Sequence, residues 1–291
     1  MPAEFLQFLL TGLTIGATYA LVALGFSLIY NASHVINFAQ GEFLMIGGLA
    51  TVFLLKAGLP LPLAALCAIA LAVLVGLALE RFAIEPARDA DIVTLIIITI
   101  GASIFLRGVA QLIWGKEFHA LPAFSGETPI HLFGATLQPQ SLWVLGASAV
   151  IVIALRLFFS RTLLGKAIIG AAHNRLAAEL CGINTRFVLR MSFALSALLG
   201  AVAGVLVAPI TFTAYNVGVM LGLKGFVAAV LGGLGNASGA ILGGLALGVA
   251  EVMTAGYLST DYKDAVAFVL ILLVLFVLPE GLLGQRGSSR V

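Results

Sequence analysis

Charge is what this sequence has least of. Only 10% of its 291 residues are Asp, Glu, Lys or Arg, against about a quarter in an ordinary soluble domain, where apolar residues make up about half; here 61% are hydrophobic. No stretch between the apolar runs is long enough to build a water-soluble core, which excludes a separate soluble domain and makes residues 1–291 one membrane domain. The opening MPAE lacks the positive n-region of a cleavable signal, so the first apolar run is expected to be a retained span. Cysteine is nearly absent. Cys67 and Cys181 stand alone, without disulfide or metal-ligand spacing, and the expected role of each is a small buried residue. His34, His119, His131 and His173 are dispersed, and HExxH, GxSxG and the phosphate loop GxxxxGK[ST] are missing. No catalytic residues and no metal site are expected, and any ATP hydrolysis that powers this chain belongs to another chain. The net charge of +2 is too small to argue for nucleic acid.

What is present is a series of apolar runs. A spanning helix needs about 20 mostly apolar residues, and windows of that size fall near residues 5–30, 36–55, 61–80, 92–114, 141–159, 187–209, 217–235, 237–257 and 262–279. The prediction is an all-α polytopic membrane protein of about eight to ten transmembrane helices. Arg81, Arg88, Arg156, Arg161, Lys166, Arg175, Arg186, Arg190, Arg286 and Arg290 fall on one side of these spans, and Lys56, Lys116 and Lys263 on the other. Ten against three assigns the 160–186 loop and the C-terminus to the cytoplasm, and nine crossings then put the N-terminus outside.

Two connections are long. The outer one, about 115–140, contains Pro122, Pro129, Pro139, Gly126 and Gly134, which favour turns and a small cap or hairpin. The inner one, about 160–186, carries Ile169, Ala172, Leu176 and Leu180 at helical spacing, with Asn174 as N-cap and Gly182 as left-handed terminator. Short amphipathic helices follow. Their apolar face must lie against lipid headgroups or in a groove of a cytoplasmic partner.

Glycine is abundant, at 33 residues. The pairs Gly12/Gly16, Gly200/Gly204, Gly218/Gly222, Gly239/Gly243 and Gly244/Gly248 predict close helix packing. The stretch from Asn37 to Ala50 faintly echoes that from Asn236 to Ala246, a possible internal repeat of the kind that flanks transport routes.

The stretch NASHVINFAQGEFLMIGG is unexpectedly polar. Glu42 cannot face lipid without a penalty of roughly 2.5–3.5 kcal/mol. Asn37 or Ser33 is expected to cap the helix that follows, and Gln40 and Glu42 offer acceptors on a substrate route; the competing reading is a hydrated interfacial turn. Arg107 and Lys224 are long enough to snorkel to the headgroups, whereas Glu251, deep in a glycine-rich run, suits a pore or an interhelical contact. Asn37, Gln40, Gly41, Glu42, Asn236 and Glu251 are the candidate substrate-pathway residues.

The runs GATYALVALGFSLIYNASHVINFAQGEFLMIGG, TLIIITIGASIFLRG, GKAIIGAAHNRLAAELCGIN, SFALSALLGAVAGVLVAPI, GLKGFVAAVLGGLGNASGAILGGLALGVAE and FVLPEGLLG together resemble the branched-chain amino acid ABC transporter permeases, in order over residues 11–284. The short total length is similar to that of the smaller of the two permeases in that family. The resemblance implies one permease domain in the bacterial inner membrane, joined to a second related permease, two cytoplasmic ATPases that bind ATP and Mg, and an external substrate-binding protein. It implies no cofactor on this chain and assigns ATPase coupling to the inner loop, at Gly165, Arg175, Ala178, Glu179 and Gly182. Relatives often carry His at the position of Gln40, and related importers carry urea or short amides. A self-contained channel or secondary transporter is the alternative that needs no coupling loop.

Overall fold

The computed structural model describes residues 2–88, 90–126, 128–132, 134–278 and 280–284. Nine helices follow the nine predicted spans to within a few residues: α1 (Pro2–Ser33), α2 (Gln40–Lys56), α3 (Leu61–Leu79), α4 (Ile92–Trp114), α5 (Pro139–Arg161), α8 (Thr185–Thr211), α9 (Val217–Gly232), α10 (Ala237–Tyr257) and α11 (Lys263–Val277). Two short helices, α6 (Leu163–His173) and α7 (Arg175–Leu180), occupy the inner connection. The outer connection folds as the predicted hairpin, β1 (Ile130–Leu132) against β2 (Ala135–Leu137). Six helices are long and apolar enough to cross a bilayer, whereas α2, α9 and α11 have only 17, 16 and 15 residues.

The short lengths of α2 and α9 follow from the path of the chain. α1 starts at the hairpin end, where Gln7 Nε2 donates to Thr136 O at 2.7 Å, and finishes at the opposite, basic end, where Asn31 Nδ2 donates to Gly235 O at 2.8 Å. His34 then turns left-handed at φ 56°, residues 35–39 re-enter the bundle, and α2 begins at Gln40 against Ser196, near the middle of α8. It rises to the hairpin end, where Lys56 Nζ lies 3.2 Å from His119 Nδ1. α8 and α9 run the same course in reverse. α8 climbs to the hairpin end, Phe212 turns left-handed at φ 59°, and α9 starts beside Gly41 and descends until Gly232 packs on Gly239. A left-handed conformation in a residue as bulky as Phe is uncommon and strained, and here it marks the same point in each copy.

Helices α1–α4 and α8–α11 therefore form two inverted copies of one four-helix unit, joined by α5. The pairings repeat: α1 packs on α10 as α8 packs on α3, α1 on α9 as α8 on α2, and α2 on α4 as α9 on α11. The glycine spacing also repeats, Gly41/Gly48 in α2 and Gly218/Gly225 in α9. The predicted repeat is thus present with a different alignment. The counterpart of α2 is α9, and the echo at Asn236 matches it only in composition.

All ten glycines of the predicted packing pairs lie against a neighbouring helix or turn. A Cβ on Gly12 would stand 2.7 Å from Val249 Cα, and one on Gly16 would stand 2.8 Å from Leu245 Cα, so α1 and α10 meet backbone to backbone. The centre of the bundle is α1 and α8, while α4 and α5 expose rows of Ile, Leu and Val such as Ile97, Ile104, Val150 and Ile153. Such a surface is a liability in water and suits hydrocarbon. Cys67 and Cys181 are both exposed, correcting the expectation that they are buried. Cys67 lies on the outward side of α3, among exposed apolar side chains such as Leu66 and Leu71, and Cys181 follows α7.

Candidate functional site

The polar stretch that opens α2 is buried in the middle of the bundle. The Gln40 amide is fully enclosed: its Nε2 donates to Ser196 O at 3.0 Å, while Ser196 Oγ lies 2.5 Å from Gln40 Oε1 and 2.8 Å from Gly25 O. One side chain thereby fastens α2 to α8 and α1. The predicted cap does not form. Asn37 Oδ1 accepts from Ala39 N at 3.1 Å in a local turn, Ser33 Oγ donates to Ile29 O at 2.8 Å, and no side chain caps α2. The N-terminus of α9 also lacks a side-chain cap. These two N-termini meet, with Gly41 and Gly218 so close that a Cβ on either would strike the other's carbonyl group.

Glu42 sits at this meeting point. Its Oε1 accepts from Ser103 Oγ at 2.7 Å and lies 3.5 Å from Arg107 Nε, while its buried Oε2 and the buried Asn37 Nδ2 have no hydrogen-bond partner among the described residues. Thr99, Ser103 and Arg107, spaced by four, present one face of α4 to α2, and Thr99 Oγ1 accepts from Phe38 N at 3.2 Å. Arg107 is the member that reaches the outer surface, with 31% of its side chain exposed. The carboxylate is compensated by an arginine and by the positive poles of two helices. The hydrated-turn reading is overturned, since Glu42 is only 1% exposed.

Glu251 belongs to a second cluster. Lys224 Nζ donates to Glu251 Oε1 and to Asp264 Oδ1, both at 2.6 Å, and Tyr19 Oη donates to Glu251 Oε2 at 2.8 Å. Lys224 is buried, so it does not snorkel; pairing within the bundle replaces water. Asn236 stands apart from both clusters, at the basic end. It caps α10 by accepting from Gly239 N at 3.0 Å and donates to Leu283 O at 2.7 Å. Ser103, Ser196, Tyr19 and Asp264 were not among the predicted residues. Only the Thr99/Ser103/Arg107 spacing was a signal for any of the partners.

At the basic end α6 and α7 break at Asn174, whose Oδ1 accepts from Ala177 N at 2.9 Å, as predicted. Gly165 packs on the Phe158 carbonyl group, Ala178 is buried, and Gly182 is left-handed at φ 83°. Glu179 accepts from Thr185 Oγ1 at 2.6 Å and lies 3.4 Å from Arg175 Nε. The Thr185 hydroxyl, reinforced by Arg175, holds its carboxyl below the usual carboxylate range. Three of the four residues in the predicted apolar row are turned outward, Ile169, Leu176 and Leu180 at 43%, 68% and 81% exposed, while Ala172 is half-buried. The contacts that hold the element to its own bundle are made by Ile168, Ala171 and Ala178 instead.

The family described as the branched-chain amino acid transport system permease component matches residues 8–275. The chain is 38% identical to the high-affinity branched-chain amino acid transport system permease protein LivH of Escherichia coli K12, over 99% of this chain and 98% of that one. It is 37% identical to the corresponding protein BraD of Pseudomonas aeruginosa, with the same coverage. The galactofuranose transporter permease protein YtfT of E. coli is 32% identical over 78% of this chain and 63% of that one. The solved structure of PsaBC from Streptococcus pneumoniae in complex with Fab covers 96% of this chain and 97% of that chain at a TM-score of 0.52 and 16% identity, a likeness of fold alone. A multi-pass integral membrane protein, of the inner membrane in a bacterium, this chain belongs to the branched-chain amino acid ABC transporter permeases.

Proposed function

We propose that the chain is the smaller permease of an ATP-driven, binding-protein-dependent importer for branched-chain or other hydrophobic amino acids. The observation that carries this reading is the outward-turned apolar row Ile169, Leu176 and Leu180 on two short helices at the basic end. Leu176 and Leu180 are too exposed to stabilise this chain and need a cover; of the two covers such a face can take, the importer reading assigns it a groove on a cytoplasmic ATPase. Gly165, Arg175, Ala178, Glu179 and Gly182 shape this element: close approach to α5, a paired surface, one buried anchor and a left-handed stop. ATP and Mg are then held by the partner ATPases.

Substrate passes beside the meeting point of α2 and α9. In the arrangement described here Gly41 and Gly218 close the bundle at that level, so the route runs along the outer side of the cluster, toward Arg107 and a second permease. Asn37, Gln40, Gly41 and Glu42 border that route. A route with mostly apolar walls and few polar groups to orient a zwitterion would suit aliphatic side chains. Asn236 and Glu251 serve it indirectly, by fixing α10.

Proteoliposomes containing this chain with its second permease, and with or without the ATPase pair, test the reading when given external binding protein and labelled leucine. Uptake that requires the ATPases and internal ATP is the expected result. Concentrative uptake by the chain alone would instead make it a secondary transporter. Thermal stabilisation of the cognate binding protein by leucine, isoleucine or valine, and not by urea or acetamide, is expected of the same system.

A further inference from the structure

Two buried polar atoms of the central cluster are unmatched, and they are opposite in kind. Glu42 Oε2 is an acceptor and Asn37 Nδ2 a donor, each on a residue only 1% exposed and each without a hydrogen-bond partner among the described residues. A buried group left unpaired costs about 1–3 kcal/mol, more when it is charged. The other polar atom of each side chain is already engaged, and that contact fixes the side chain in place: Glu42 Oε1 accepts from Ser103 Oγ at 2.7 Å and lies 3.5 Å from Arg107 Nε, while Asn37 Oδ1 accepts from Ala39 N at 3.1 Å. α4 sets the two residues one turn apart. Phe38, next to Asn37, donates its N–H to Thr99 Oγ1, and Ser103, four residues further along α4, holds Glu42; four residues of helix rise about 6 Å. Asn37 lies just before α2 and Glu42 in its first turn, and no side chain caps that helix start. Glu42 Oε2 also faces the uncapped start of the 16-residue helix α9, 3.2 Å from where a Cβ on Gly218 would stand.

Building on the importer reading, and resting on it, we propose that these two atoms hold the headgroup of a zwitterionic α-amino acid in transit: its ammonium donates to Glu42 Oε2, and its carboxylate accepts from Asn37 Nδ2 beside the positive pole of α2. That pole favours the carboxylate, and a separation of about one helical turn is one that a single ammonium–carboxylate unit bridges with a hydrogen bond of about 2.9 Å at each end. Ser103 and Arg107 are positioning residues, which hold Oε1 and leave Oε2 for the ligand. In the arrangement described here the contact of Gly41 with Gly218 closes this place, and the headgroup enters when the starts of α2 and α9 part. An uncharged solute such as urea satisfies neither requirement. The cluster selects for the headgroup that leucine, isoleucine and valine share, and it does not choose among them.

The test is thermal stabilisation of the full-length chain, purified with its second permease and without binding protein, by leucine, by leucinol, which lacks the carboxylate, by 4-methylpentanoate, which lacks the ammonium, and by urea. On the parent, leucine is expected to act at about tenfold lower concentration than leucinol or 4-methylpentanoate, the worth of one hydrogen bond to a charged group, and urea is expected not to act. In Glu42→Gln, leucine is expected to fall to the level of 4-methylpentanoate, whose own effect persists. In Asn37→Asp, which keeps the acceptor for Ala39 N, leucine is expected to fall to the level of leucinol, whose own effect persists. Equal action of leucine and its two analogues on the parent, or no stabilisation by leucine up to about 100 mM, overturns the proposal without any variant. A variant that weakens all three ligands alike gives its residue a structural role only and is equally fatal. ATP-dependent leucine uptake would survive each of these results, so failure here is separate from failure of the importer reading.

Discussion

Lys224 and Glu251 form an ion pair of 2.6 Å with both side chains 7% exposed, and the same ammonium reaches Asp264 at 2.6 Å. One lysine therefore ties α9 to α10 and α11. Removing a single partner strands a buried charge, which costs about 3–5 kcal/mol, while an apolar pair of similar volume is often neutral. Lys224→Met, which leaves the buried Glu251 carboxylate with only the Tyr19 hydroxyl, is expected to lower the thermal midpoint in detergent sharply, and the addition of Glu251→Leu to restore most of it. A single variant as stable as the parent would show that the tie has no structural weight.

Gly41→Ala is expected to destabilise the chain by about 1–3 kcal/mol, because the new methyl group meets the Gly218 carbonyl group with backbone on both sides. Gly101→Ala, on the outward face of α4 with nothing within 4 Å, is expected to be neutral or mildly stabilising, since alanine favours helix. Thermal unfolding of the two variants side by side checks the contrast.

Leu176→Asp and Leu180→Asp change residues that are 68% and 81% exposed. Each is expected to leave the chain's own thermal midpoint within about 0.5 kcal/mol of the parent and to weaken ATPase binding at least tenfold in a detergent pull-down titration. Unchanged ATPase affinity in both variants would remove the coupling role from this face.

Glu179 gives a pH prediction. Its carboxyl is held below its ordinary value by the Thr185 hydroxyl and then by Arg175. A depressed value in the folded state means that the contribution is present above the unfolded carboxylate range, near pH 4.3, and is lost as pH falls through the folded value. Hydrogen-exchange protection of residues 175–185, measured against the intrinsic rate at each pH, is expected to hold at pH 5 and to be lost only as pH falls below the unfolded carboxylate range. In Thr185→Val the loss of protection is expected at higher pH, and in Glu179→Gln this step is expected to disappear.

The fold was legible where hydrophobic length decides structure. The nine long helices, the hairpin, the Asn174 cap and the Gly182 stop follow from local chemistry, and so does the outward row of the α6–α7 segment, once its spacing is read as a face that needs a cover. The partners of Glu42 and Glu251 were not legible to the same degree. Ser103 and Arg107 lie 61 and 65 positions from Glu42, and Tyr19 lies 232 from Glu251; such pairings are set by how helices cross, which no local period encodes. Lys224 was misread for the same reason, because snorkelling depends on side-chain length, whereas pairing depends on which helix stands opposite. The repeat was visible only faintly because inversion preserves backbone course and glycine spacing while letting side chains diverge, and so a match by composition selected α10 over α9.

The head-on meeting of α2 and α9 has an electrical consequence. Each helix start carries about half a positive charge, and here two such poles stand together in the middle of the bundle, with Arg107 beside them and the single carboxylate of Glu42 between them. A sodium ion or hydronium crossing beside them from either side climbs toward the same barrier, much as paired half-helices repel cations in water pores. A leucine zwitterion has no net charge and is spared that climb. In the proposed importer, such a barrier would hold back cations while letting a neutral nutrient by.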